Sequence, residues 1–444
     1  MDSGSAIPIA PRSLPLVGHA PALLRNPLGF LSSLPSHGDL VRVRIGSNAF
    51  LVVCSAQLTS EVLRDDATFD RGGPIFARIA EMTANGLAAC PHSEHRRQRR
   101  MLQPAFTRAR LRGYAQVASE QIVQHIDDWR DGQRLDVVDE MLKFAGKALI
   151  ASVFTGASPT LNTALRDALA DLSVLGDDVL FEAFAPPLLK RVPNGIKRRS
   201  ARVLAGFGAL VAQVIEQYRR DEIDHRDLLS MLILGDGQDR RTSDEEIIGQ
   251  ILTFFFAGTE TIANALAWSL YQLSLDADLH HRLCREVDAI ARDDRTLGLE
   301  EAQQLELTGR VLTEALRLHP PGWLFTRKTS RDTILGGYQV PAGTDIIYSP
   351  YVIHHRPDLY PAPDRFDPGR WEPDRSHAGR SALIPFGGGA RRCIGDNYAM
   401  AEGVIALATI TARWHLEPSR TRIRPSLSLV MSPRNLVMTA RART

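Results

Sequence analysis

Cysteine and lysine are scarce in this sequence, and neither sign of charge dominates. Four cysteines in 444 residues, Cys54, Cys90, Cys284 and Cys393, are too few and too scattered for a disulfide framework. None belongs to the Cys-x-x-Cys pair of a cysteine zinc site, and such usage fits a reducing, cytoplasmic setting. Lys+Arg number 53 against 51 Asp+Glu, a formal charge of +2, which argues against a generic nucleic-acid binder. The only lysines are Lys143, Lys147, Lys190, Lys197 and Lys328, a bias expected of a GC-rich bacterial gene because lysine codons are AT-rich. The opening MDSGSAIPIAPRSLPLVGH carries an acidic second residue and three prolines, where a signal peptide needs a basic stretch and an apolar core. No membrane anchor is expected there.

What remains is the composition of a folded protein. With 44% hydrophobic and 23% charged residues, the chain can bury a sizeable core and is neither disordered nor collagen-like. At about 150 residues per domain three domains are allowed, and so is one large enzyme domain. Leu40-Val-Arg-Val-Arg-Ile45 and Phe50-Leu-Val-Val53, flanking a Gly46-Ser-Asn turn, predict a hairpin. From Ser93 to Gln272 amphipathic runs predict helices, broken at Gly156, Pro186, Pro187 and Pro193. Strand and turn signals return from Ile334 to Thr344, a loop dense in Pro, Asp and Arg covers 357–375, a helix begins near Asp396, and Leu427 to Met438 reads as strand. Strand-rich pieces at both ends of a helical middle, without repeats or low-complexity linkers, predict one interwoven domain over residues 1–444. Its class is mainly α with small β-sheets.

Thr242-Ser-Asp-Glu-Glu246 is a capping box that opens a largely apolar run from Ile247 to Leu273. The run is long enough to cross a bilayer. However, Gln250, Glu260, Asn264 and Gln272 interrupt it and no second such run exists, so a helix through a globular core is expected.

The most specific stretch is Phe386-Gly-Gly-Gly-Ala-Arg-Arg-Cys-Ile-Gly395. Its glycines let the backbone turn sharply and approach a flat partner. A thiolate at Cys393 would gain from Arg391, Arg392, backbone N–H groups and the N-terminus of the helix beginning at Asp396. A phosphate loop competes, but no Gly-Lys-Ser/Thr follows. A cysteine nucleophile would need a His that is not nearby in sequence, and a turn holding a buried cysteine is the plainest alternative.

Phe386, Gly389, Arg391, Cys393 and Gly395 resemble the signature of the cytochrome P-450 haem-thiolate monooxygenases, and two further motifs follow the family's order. Thr308–Pro321 is a helix ended by two prolines, with Glu314 and Arg317 on one face. Alone that pair is an ordinary surface ion pair. It is similar to the family's Glu-x-x-Arg pair, and the loop Pro363–Trp371 puts Arg370 in the position of its partner, a triad that supports haem seating. Ala257-Gly-Thr-Glu-Thr261, in the middle of the long run, resembles the family's acid–alcohol pair, here Glu260 and Thr261. A hydroxyl can position water and a carboxylate can relay protons from solvent, which favours dioxygen activation. The resemblance further implies haem b with Cys393 as axial ligand of its iron, and propionates held by His95, Arg99, Arg327 and Arg391. His95 stands where the family often has Trp.

The same likeness implies dioxygen as co-substrate and electrons from NAD(P)H through separate proteins, a ferredoxin and its reductase, because no fused reductase follows Cys393. Arg96, Arg97 and Arg100, with Arg392, are either a solvated basic face or a docking patch for an acidic electron donor. A cytoplasmic monomer without membrane anchor is expected. Candidate pocket residues are Ile75, Phe76, Ile79, Phe254, Phe255, Phe256, Ala257, Trp323, Leu324, Phe325, Val430 and Met431, each with ordinary core as its alternative. Together they imply an apolar substrate, although Arg78 could meet a fatty-acid carboxylate. Gly86–Phe106 resembles bacterial terpene oxidases of the pentalenene oxygenase kind, which implies hydroxylation or further oxidation of a cyclic terpene, a sesquiterpene above all, in bacterial secondary metabolism. Fatty-acid, polyketide or steroid hydroxylation is the alternative within the family. A haem-binding sensor without turnover is the alternative from another class.

Overall fold

The computed structural model describes residues 6–169, 171–185, 195–234, 242–290, 296–375 and 378–443. The expected break at Gly156 lies between helices Val137–Val153 and Pro159–Leu169, whereas Pro186, Pro187 and Pro193 lie outside the described residues. The hairpin pairs Leu40–Ile45 with Asn48–Val53, Val43 opposite Phe50. It continues into a five-stranded sheet through Asp345–Tyr348, Phe325–Thr329 and finally Phe69–Arg71. The last pairing is antiparallel and sets Arg71 directly opposite Arg327. Three smaller sheets complete the β content of the described residues. One joins Arg134–Asp136, Val437–Ala442 and Trp414–Pro418, so the strand signal near the C-terminus resolves into separate short strands.

The long helix runs from Asp244 to Ser274, capped by the Ser243 hydroxyl accepting from the Glu246 N–H at 3.2 Å. It passes through the core rather than along its surface, with Trp268 and Leu266 packed among Phe144, Leu312 and Ile405. Those neighbours come from helices Val137–Val153, Glu306–Leu318 and Asp396–Arg413. Among the described residues it is the one helix long and apolar enough to cross a membrane, and two thirds of its apolar window is buried in the fold. Two of its polar interruptions find hydrogen-bond partners, although the Asn264 side-chain oxygen is left without one among the described residues. Gln250 donates to Gln98 at 2.8 Å and accepts from the Leu87 N–H at 3.1 Å, and Asn264 donates to the Glu260 carbonyl at 2.7 Å.

The Glu314 pair is no surface feature. Glu314 and Arg317 are both 0% exposed, and Arg317 grips the carboxylate through Nε and Nη2, each at 2.9 Å. Arg370 Nε and Trp371 Nε1 reach the same carboxylate at 3.2 and 2.9 Å. Burial is tolerable because four side-chain N–H groups and the Asp367 amide saturate the acid.

Candidate active site

The floor of the site is the loop that ends in Cys393. Gly389 has φ +64°, and a Cβ there would meet the Leu63 carbonyl at 2.0 Å, so only glycine fits this crossing. The Cys393 amide donates to the Phe386 carbonyl at 2.9 Å, closing the loop. Upstream, the Ile384 amide donates to His354 Nε2 at 2.9 Å. His354 donates from Nδ1 to the Arg317 carbonyl at 3.1 Å, so hydrogen bonds connect the buried triad to this loop. Burial keeps His354 neutral, its pKa well below the usual value.

Cys393 is exposed, but into a cavity of about 330 Å³ that it lines. Protein atoms crowding the sulfur push its thiol up, against the Gly395 N–H and the Arg99 and Arg392 charges that pull it down. Gly395 caps helix Asp396–Arg413, whose N-terminus points its partial positive charge toward this loop.

The long helix forms a wall. Phe254, Ala257, Gly258 and Thr261 line the cavity, spaced three, four and seven apart and hence on one face. The Thr261 hydroxyl donates to the Ala257 carbonyl at 2.7 Å. Glu260 is not among the lining residues; burial, and then the Asp177 carboxylate, raise its carboxyl to about 7. Phe255 faces the other way and packs on Phe154 and Phe207 at 5.8 and 5.2 Å. Phe256 and Ile79 line a separate small void.

Of the remaining pocket expectations, Phe325 lines the cavity and Phe76 stacks on it at 6.3 Å. Ile75 is core. Trp323, Leu324 and Met431 pack instead with the hairpin strands, and Val430 is buried. Arg78 is spent on Asp178, at 2.6 Å, and on Glu81.

His95, Arg99, Arg327, Phe386, Arg391, Cys393 and Gly395 all line the cavity. Their cations differ in what they have left to give. Arg391 lines the cavity while donating to Asp66 at 3.0 Å, Asp70 at 2.9 Å and the Cys90 carbonyl at 2.8 Å. Arg99 donates to the Arg392 carbonyl. Burial, and then Arg391, lower His95 to about 4. Arg327 is 0% exposed, and none of its three guanidinium nitrogens has a hydrogen-bond partner among the described residues. Arg71, opposite it, also lacks hydrogen-bond partners at Nε and Nη1 among the described residues and stands over the Phe76 ring at 4.2 Å. Burial and then the Arg327 charge lower Arg71 to about 9.

Sequence reasoning missed Arg71, Tyr398 and Glu402, all on the cavity wall. Burial drives the Glu402 carboxyl up to about 8. The helix beginning at Asp396 placed Tyr398 and Glu402 four apart on one face, a signal that could have raised them; Arg71 has no such local mark. On the outer surface Arg97 is paired with Glu94 and Glu246, and Arg392 with Asp396. Arg96 and Arg100 have no ion pair among the described residues.

A profile of the Cytochrome P-450 family matches residues 8–440. The chain belongs to the cytochrome P-450 family. Among its relatives is the pentalenene oxygenase of Streptomyces avermitilis, 38% identical over 98% of this chain and 97% of that protein. The cyclooctatin synthase of Streptomyces melanosporofaciens is also 38% identical, over 97% of this chain and 95% of its own length. So is that organism's cyclooctat-9-en-7-ol 5-monooxygenase, over 92% and 89%. This cytochrome P-450 is therefore a monooxygenase, and its family uses haem, dioxygen and electrons from redox partner proteins. The mainly α fold with small separate sheets is the family's.

Proposed function

We propose that the chain is a cytoplasmic single-domain monooxygenase that hydroxylates, or oxidises further, a cyclic terpene hydrocarbon of the sesquiterpene class. The observation that carries the haem site is the pair Arg71 and Arg327. Two guanidinium groups directly opposite on neighbouring strands repel each other, and buried without partners they call for anions. The two carboxylates of haem b are such anions, and arginine grips a carboxylate bidentately. Cys393, across the same cavity, supplies the thiolate for the iron, with Phe386 and Gly395 shaping the loop around it. His95, Arg99 and Arg391 add to the rim, and Arg391 also ties the loop to Asp66 and Asp70. Glu314, Arg317 and Arg370 hold that loop from behind.

When bound, the haem supplies dioxygen activation and the oxidising power of the reaction. The protein's own part is proton supply and orientation. Thr261 spends its proton on Ala257, so its oxygen is left to accept from a water in the cavity. Glu260, held near half-protonation at neutral pH, feeds protons toward that water. Phe254, Ala257 and Phe325 offer an apolar wall without a charge partner, and the commitment of Arg78 to Asp178 weighs against a fatty-acid carboxylate. The relatives are named for pentalenene, cyclooctatin and cyclooctat-9-en-7-ol, which supports a cyclic hydrocarbon skeleton as substrate. Electrons would come from NAD(P)H through a ferredoxin and its reductase.

The test is the carbon monoxide difference spectrum of the reduced, haem-supplied protein. A strongly red-shifted Soret band in wild type, lost in Cys393→His, is expected; the same band in both would refute the ligand assignment. Binding spectra and products with sesquiterpene hydrocarbons, and none with fatty acids, are expected of the substrate. The reverse pattern would replace it.

A further inference from the structure

The hydrogen bonds of Gln250 meet at a loop on the cavity wall. Gln250 and Gln98 are both buried. Gln98 accepts from Gln250 Nε2 at 2.8 Å and donates from its own Nε2 to the Asn85 carbonyl at 3.0 Å. Gln250 Oε1 accepts from the Leu87 amide at 3.1 Å, so the two side chains close a ring around Gly86. There the loop lies against the long helix without room for a side chain. A Cβ on Gly86 would meet Thr253 Oγ1 at 2.0 Å, and one on Gly249 would meet the Thr83 carbonyl at 2.4 Å. The loop reaches this contact through two successive non-glycine residues in the left-handed region, Ala84 at φ +46° and Asn85 at φ +55°. Such a conformation persists only where its surroundings enforce it.

The ring holds the next two residues, Leu87 and Ala88, which line the cavity. Gln250 stands one turn ahead of Phe254, on the helix face that continues through Ala257 and Thr261. Gln98 lies on helix His92–Leu102 between His95 and Arg99, which line the same cavity. Three walls are therefore tied at one point. An apolar pair of similar shape would pack there as well, whereas a fully bonded buried amide pair selects one arrangement of the loop. We propose that Gln98 and Gln250 are positioning residues for the oxidation. Through the Asn85 carbonyl and the Leu87 amide they set how far Leu87 and Ala88 reach into the cavity, and so which part of an apolar substrate is turned toward the Cys393 side. The inference rests on the haem seat proposed above and not on the terpene class.

The test uses the haem-loaded full chain and two probes that coordinate iron through nitrogen but project their phenyl rings differently, 1-phenylimidazole and 4-phenylimidazole. The ratio of their affinities, read from Soret shifts at neutral pH, reports the cavity wall rather than the haem. Gln250→Met and Gln98→Met keep the volume and remove the bonds. Each is expected to change that ratio about three- to tenfold, with the carbon monoxide band in place as proof of folding. Gln250→Glu is expected to return it to the wild-type value, since burial keeps the acid protonated and able to donate to Gln98. The two methionine changes together should do no more than one alone. An unaltered ratio in both single variants overturns the proposal even if their urea midpoints fall, because the amides would then only brace the fold. A ratio in Gln250→Glu that matches Gln250→Met overturns it as well. Wild type lacking the red-shifted band would instead refute the haem site on which the proposal rests, and sesquiterpenes without product would refute the substrate class alone.

Discussion

A threonine hydroxyl that donates to a carbonyl of its own helix has only lone pairs left for the cavity, and Thr261 is in that position. Thr261→Ala removes the acceptor without changing the helix face. Product formed per NAD(P)H is expected to fall several-fold, on the order of 1 kcal/mol of lost positioning, with released peroxide making up the difference. Thr261→Ser should restore coupling, because it keeps the oxygen; unaltered coupling in the alanine variant would exclude the hydroxyl from proton supply. Glu260 adds a pH dependence. Its carboxyl is raised to about 7, first by burial and then by Asp177, so the proton-carrying form is present below about pH 7 and lost above it. Coupled turnover is expected to decline as pH rises through that value. Asp177→Asn, which removes the repelling charge, should move the decline to lower pH, and Glu260→Gln should abolish it. A profile identical in all three proteins would count against the relay.

At the scale of elements, two strands and one helix carry the proposed haem seat. Arg71 and Arg327 occupy facing positions on Phe69–Arg71 and Phe325–Thr329, and in the proposed seat an anion between them would relieve their repulsion. Arg327→Gln is expected to speed transfer of haem to apomyoglobin by roughly 10- to 100-fold, since one charge-assisted bond is worth about 1.5–3 kcal/mol. Arg71→Gln should act in the same direction, and unchanged transfer rates in both would remove the carboxylate role. The Glu314 cluster behaves differently, because removing its acid strands two buried cations. Glu314→Ala is expected to cost about 3–5 kcal/mol in urea unfolding and to loosen haem; a loss below about 1 kcal/mol would show that the cluster is replaceable. These elements also show what could be read in advance. The cysteine loop, the Glu314–Arg317 spacing and the Ser243 cap are contiguous patterns, visible without tertiary knowledge. The helix face was half legible: Phe254 and Ala257 are three apart, yet Phe255, one step round, points into the core. Arg71 was illegible because its meaning comes from Arg327, which only sheet pairing places opposite it. The burial of Glu314 was illegible as well, since the Asp367 amide and Trp371 that satisfy it arrive from a separate loop.

The molecule as a whole stores neutral histidines. Away from the cavity, His280 and His355 are held near 4, and His319 and His354 lie well below their ordinary value of 6.5, in every case first through burial. Several serve as packing surfaces or hydrogen-bond hubs. His319 stacks on Trp268 at 3.7 Å, and His354 ties helix Glu306–Leu318 to the segment leading to Cys393. The sign of the linkage follows directly. Below about pH 6.5 the unfolded chain takes up protons at these positions that the folded chain refuses, so folding stability falls as pH drops. Each histidine adds up to about 1.4 kcal/mol per pH unit between its two values, and above about pH 6.5 the group adds nothing. The opposite trend comes from Glu402 and Glu260, whose folded values near 8 and 7 exceed their unfolded 4.5, so their contributions are lost as pH rises toward those values. Four histidines outweigh these two carboxyls on the acid side, and stability should therefore peak near pH 6.5. Urea midpoints of the holoenzyme are expected to drop steeply from pH 6.5 to 5 and gently from 6.5 to 8. His280→Gln, which never titrates, should flatten the acid limb by about one proton while leaving the alkaline limb in place. Midpoints constant down to pH 5 would mean that these rings are protonated in the folded state, and the hydrogen bond from Ile384 to a neutral His354 could not then hold the cysteine loop.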